Sequence, residues 1–104
     1  MSVFVKVADK KELDPGSCKS VEVSGSRIGL FNVEGRIYAM DDTCAHLGGP
    51  LGAGTLDAAI VTCPWHGWQY DVSTGACQTD PRVQLACYEV RIEDEQVKIA
   101  FPIT

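Results

Sequence analysis

No stretch of this sequence keeps a helical period beyond a single turn, and turn signals recur about every ten residues. That pattern restricts the chain to short strands joined by tight connections. Residues 4–7 alternate and open the first strand. Residues 10–14 suit one helical turn, which Pro15-Gly16 ends. Residues 19–23 and 27–33 are strand-like and flank Ser24-Gly25-Ser26. Glu34-Gly35 then reads as a hairpin turn into residues 36–40. Residues 59–62 form another apolar run. Residues 86–92 and 96–101 flank Glu93-Asp94-Glu95, a further hairpin signal. The expected fold is all-β, an antiparallel β-sandwich or small barrel. The chain shows no linker, repeat or low-complexity stretch, so residues 1–104 read as a single domain.

The middle of the chain breaks this rhythm. Residues 43–54 run Thr-Cys-Ala-His-Leu-Gly-Gly-Pro-Leu-Gly-Ala-Gly, a composition that disfavours any regular element. Residues 63–67, Cys-Pro-Trp-His-Gly, form a second irregular stretch. Loops of this kind on a β scaffold are where function concentrates.

Five cysteines at 18, 44, 63, 77 and 87 make an odd number, which fits a disulfide framework poorly. Metal binding is the better reading for some of them. The formal charge of −5 disfavours nucleic acid as a partner, because phosphate rewards Lys and Arg. It suits partners with basic patches and suits a solvated surface equally well. Asp41, Asp42 and Asp57 read as parts of that acidic face. No apolar run approaches the roughly 20 residues of a spanning helix, and charge interrupts the first residues too soon for a secretory signal. The expectation is a cytoplasmic protein without a membrane segment.

The two histidines each lie close to a cysteine, and they form two donor pairs. Cys44 and His46 are spaced Cys-x-His, and Cys63 and His66 are spaced Cys-x-x-His. In extended chain, residues i and i+2 point to one side, so Cys44 and His46 can face one site. Pro64 disfavours a helical conformation at Cys63 and puts the second pair on a turn. Two thiolates and two imidazoles suit a tetrahedral structural zinc, or a two-iron cluster with two Cys on one iron and two His on the other. Spacing alone leaves both open.

Cys44-Ala-His46-Leu-Gly-Gly-Pro-Leu and Cys63-Pro-Trp-His66-Gly-Trp-Gln-Tyr-Asp closely resemble the two signature boxes of Rieske proteins. Ser-Thr-Gly at 73–75 and Asp80-Pro81 look like the same family, and the similarity spans the chain. The resemblance implies one [2Fe-2S] cluster, bound by a region at about 42–82. It implies that Cys44 and Cys63 hold the inner iron, and that His46 and His66 hold the outer one with their edges exposed at the tip of the domain. Two thiolates neutralise the two ferric ions and two sulfides, whereas four would leave the site negative. Rieske centres accordingly lie at roughly −150 to +300 mV, above about −400 mV for plant-type ferredoxins.

High-potential respiratory members of the family carry a further Cys in each box and a serine beside the cluster. Gly49, Trp65 and Trp68 stand at those positions here, so the low end of the range is expected. Tyr70 is retained, with a hydroxyl suited to a cluster sulfur. Trp68 and Leu47 read as shields, Trp65 as an exposed contact, and Pro81 as part of a third covering loop. Cys18, Cys77 and Cys87 read as ordinary small residues.

By resemblance the chain is similar to the ferredoxin of bacterial ring-hydroxylating oxygenase systems. Such a carrier takes an electron from a flavin-dependent reductase and passes it to a terminal oxygenase. It is not itself an enzyme, since both histidines are already used and no two-His, one-carboxylate iron site remains. The alternatives are a small Rieske subunit of an assimilatory nitrite reductase and a zinc-stabilised, non-redox binding module.

Overall fold

The structure is a computed structural model that describes residues 2–43, 49–65 and 67–102. Ten strands account for most of it: β1 (Ser2–Asp9), β2 (Cys18–Val23), β3 (Ser26–Val33), β4 (Arg36–Asp41), β5 (Thr55–Asp57), β6 (Ile60–Thr62), β7 (Gln69–Asp71), β8 (Cys87–Tyr88), β9 (Val90–Glu93) and β10 (Gln96–Pro102). Two single 3-10 turns, Lys10–Glu12 and Leu51–Ala53, are the helical elements among the described residues. The strands form three antiparallel sheets, ordered β1-β10-β9, β2-β3-β4-β8 and β5-β6-β7. The all-β antiparallel expectation therefore holds.

Three hairpins are closed by two residues in the left-handed region. They are Ser24 and Gly25 (φ 49° and 83°), Glu34 and Gly35 (53° and 98°), and Asp94 and Glu95 (51° and 64°). Turns of this hand match the twist of the flanking strands. The third pair has no glycine, and it is anchored instead by the Lys10 amide, which donates to the Glu95 carbonyl at 2.8 Å.

The stretch 86–92 is not one strand. Cys87 and Tyr88 pair with β4, whereas Val90 onward pairs with β10, and Glu89 carries the chain between the two sheets. The Glu89 carbonyl accepts from the Ala100 amide at 2.9 Å, which fixes the crossing. Strands β5 and β7 were not expected. Each is three residues long, too short for alternation to register as a pattern.

The four-stranded sheet is buried on both faces. Ile28, Leu30, Ile37 and Ala39 point to one face and pack with Val97, Ile99, Phe101, Ala8 and Leu13 into a first core against the β1-β10-β9 sheet. Phe31 and Met40 point to the other face, where Leu51, Val61, Cys63, Tyr70, Val72 and Cys77 complete a second core. Strand alternation alone accounts for this division. Cys63, which opens the second irregular stretch, sits in this second core, with Trp68 packed against it.

Candidate metal centre

Both loops spring from paired backbone. The first spans residues 44–49, between Thr43 and Pro50, which form an antiparallel bridge. The second spans residues 63–68, between the partners Thr62 and Gln69 of the β6–β7 hairpin. A cysteine is the first residue of each. Within the second loop, the Cys63 amide donates to the Trp68 carbonyl at 2.7 Å, and the Gly67 amide donates to the Cys63 carbonyl at 3.2 Å. These bonds fold the loop tightly and leave Cys63 only 3% exposed.

The loops meet at Gly49. A Cβ there would lie 2.8 Å from Cys63 Sγ and 3.1 Å from the Trp65 indole. The first loop thus passes against the Cys63 thiol, and only a residue without a side chain permits it. The positions where respiratory Rieske proteins carry their extra cysteines are here adjacent in space, filled by a glycine under an indole. Trp65 is 54% exposed, as expected of a contact residue. Trp68 is half-buried and packs against the second core, as expected of a shield. Tyr70 is fully buried, paired with Val61 and bridged to Cys77.

A third loop docks on β7. The Gln69 amide donates to Thr79 Oγ1 at 3.0 Å, and the Gln78 amide donates to the Gln69 carbonyl at 2.7 Å. Asp80 and Arg82 close it through two side-chain hydrogen bonds of 3.0 Å each, which hold the half-buried Asp80 carboxyl below its usual range. The Asp80 amide also donates to Cys77 Sγ at 3.3 Å. Pro81 is exposed on this loop.

Of the four sequence-derived donors, Cys63 is described. Cys44, His46 and His66, with Leu47, lie outside the described residues. The remaining cysteines sit in ordinary surroundings. Cys77 is buried in the second core. Cys18 donates to the Gly54 carbonyl at 3.4 Å, and burial, then the Asp42 charge, push its thiol pKa up. Partial burial, then Asp41 and Asp71, likewise raise that of Cys87. Raised thiols are poor nucleophiles and poor ligands at neutral pH.

One acidic residue was misread from the sequence. Asp42 belongs to no solvated face, because it is completely buried. It lies two residues beyond Met40 on the same strand face, so alternation was the available signal. Asp41 is half-buried and accepts a 2.7 Å hydrogen bond from the Tyr88 hydroxyl. Asp57 is exposed.

Against known families, residues 3–89 match the model of the Rieske [2Fe-2S] domain. The chain belongs to the Rieske family. Its cofactor is one [2Fe-2S] cluster. Among Rieske relatives, ferredoxin CarAc of Metapseudomonas resinovorans is 32% identical over 100 residues, covering 94% of either chain. The ferredoxin component of a naphthalene 1,2-dioxygenase system from Pseudomonas aeruginosa is 36% identical over 89 residues, covering 85% of this chain and 86% of that one. In a solved complex of reduced oxygenase and oxidised ferredoxin of carbazole 1,9a-dioxygenase, one chain superposes with a TM-score of 0.86. It is 32% identical, and the match covers 94% of this chain and 93% of that one.

The described residues fit such a cluster. Cys63 is a buried sulfur at the head of its loop, and the backbone of the other loop is stripped of its side chain where it meets that sulfur. Soft thiolate donors with imidazoles are the ligand set of this cluster type.

Proposed function

We propose that this protein is a one-electron carrier between a flavin-dependent reductase and a terminal oxygenase. Its cluster is held by Cys44 and Cys63 on one iron and by His46 and His66 on the other. One observation carries the reading: two loops that each begin with a cysteine are pressed together at Gly49 and Cys63, on a scaffold of nearly the extent of a ferredoxin component. The cluster supplies the uptake and release of a single electron. The chain buries the Cys63 sulfur and sets a partly exposed Trp65 near it for a partner to touch.

Residues 1–104 form one Rieske domain in this reading, with the cluster region at 42–82. The carrier works in the cytoplasm, where NAD(P)H-fed flavin reductases operate. No helix among the described residues is long and apolar enough to cross a membrane. A Gly49–Trp65 contact replaces a possible disulfide, and Trp68 brings no hydroxyl to the cluster. Fewer hydrogen bonds to sulfur favour the oxidised form, so the midpoint falls in the low part of the roughly −150 to +300 mV range.

The test is an EPR spectrum of anaerobically purified, dithionite-reduced protein, with iron and sulfide counted on the same sample. The expected result is a rhombic signal of low average g with about two irons per chain. Bound zinc without iron would overturn the carrier reading. A redox titration giving a midpoint well above zero would overturn the assignment to the low-potential class.

A further inference from the structure

We infer that Asp42 is the positioning residue of the first ligand loop, a clamp that sets how Cys44 and His46 are presented to the second pair. The inference rests on the ligand assignment above. Asp42 stands just before the Thr43–Pro50 bridge, and it grips the chain on both sides of the loop. On the near side its amide donates to the Arg27 carbonyl at 3.2 Å. On the far side its carbonyl accepts from the Leu51 amide at 2.7 Å, and its Oδ1 accepts from the Gly52 amide at 2.6 Å. Ser20 Oγ donates to the same Oδ1 at 3.0 Å, which ties the clamp to β2.

Two further features show that the clamp is fitted rather than incidental. A Cβ on Gly52 would come within 2.6 Å of the Ser20 main-chain nitrogen, so the far end of the loop is seated against β2 with no room for a side chain. Asp42 Oδ2 is buried and lies 3.1 Å from the half-exposed Arg27 guanidinium, as an ion pair without an aligned hydrogen bond. A fully buried carboxylate is costly unless paired and hydrogen-bonded. An apolar residue would fill the space at less expense, but it could not hold two strands and a loop end together. Gly49, which touches the Cys63 thiol, lies inside the clamped span. Slackening the clamp therefore shifts one ligand pair against the other.

The test compares holoproteins of D42A, D42N and S20A with L30A, which opens a cavity in the first core, away from the loops. In D42A the cluster is lost to a chelator about tenfold faster, as expected for removal of hydrogen bonds to a charged acceptor. Its rhombic EPR signal shifts and broadens, its midpoint moves, and the Leu51 and Gly52 amides exchange faster. D42N keeps an Oδ1 acceptor and restores most of the retention. L30A lowers the melting temperature but keeps the wild-type g-values and midpoint. Wild-type g-values, midpoint and retention in D42A overturn the inference. So does an L30A spectrum shifted in the same way as that of D42A. Should D42A fail to fold, S20A decides: a smaller shift of the same kind supports the clamp, and none overturns it. A wild-type protein without the Rieske signal would instead sink the ligand assignment, and the clamp with it.

Discussion

The two cores are built on opposite principles. The first lies between two sheets of longer strands and is lined by aliphatic side chains with Phe101. Its hairpins are closed by two-residue turns. The second core contains two cysteines, a tyrosine and three-residue strands, with a fully buried carboxylate at its margin. Short strands contribute few hydrogen bonds and little apolar area. Such a region stays ordered only if something else ties it together, and in a Rieske protein the cluster bonds two loops at once. The first core is therefore expected to stand alone, and the second to be completed by its cofactor.

Removing the cluster is the severest test of this contrast. In apoprotein, or in Cys63→Ser, hydrogen exchange is expected to rise through residues 43–83 while β1, β3 and β10 stay protected. Uniform loss of protection would show a single cooperative unit with no such division. Next in size is Leu30→Ala in the first core, at about 2–5 kcal/mol in denaturant melts, with the cluster spectrum unchanged. Its counterpart is Gly49→Ala, which overpacks the loop contact at about 1–3 kcal/mol. Unlike Leu30→Ala, it is expected to perturb the EPR signal and reduce the iron content. If the two variants affect spectrum and stability in the same proportion, the cores are not distinct.

The Tyr88 hydroxyl gives a pH test at the border of the two regions. Burial first, then the bond to Asp41, push its pKa up to about 12. An unfolded tyrosine ionises near 10. A raised native value means that stability is fully present below about pH 10 and is lost as pH climbs towards 12. Tyr88→Phe is expected to flatten the stability profile between those values in urea melts. An unaltered alkaline slope would remove Tyr88 from the account. The smallest effect belongs to the hairpin without glycine. Glu95→Gly is expected to raise stability by about 1 kcal/mol, because it relieves a left-handed residue far from the loops. A drop in stability would mean that the Glu95 side chain holds the turn.

The sequence was most legible where physics acts locally. Gly25 and Gly35 announced their turns, and the two sequence boxes at 44–51 and 63–71 announced the Rieske family. The break at Glu89 was hidden because both halves of 86–92 are strand-like, and only long-range pairing decides that they join different sheets. β5 and β7 escaped notice because three residues carry no period. Asp42 was misread because an Asp-Asp pair looks like surface, and its burial depends on Ser20, Arg27 and Gly52, all distant in sequence. The contact of Gly49 with Cys63 could not be read from spacing, since it is made by two loops from different sheets.

The double allegiance of β3 carries a last consequence. Ile28 and Leu30 serve one core while Phe31, the next residue along the strand, serves the other. A one-residue slip in this strand would exchange the two sets. Any insertion in the Glu34-Gly35 turn that altered the pairing with β4 would lift Phe31 away from the second core, in which Cys63 sits. A mutation at a remote surface hairpin could then silence electron transfer, and evolution is left less freedom in that turn than its exposure would suggest.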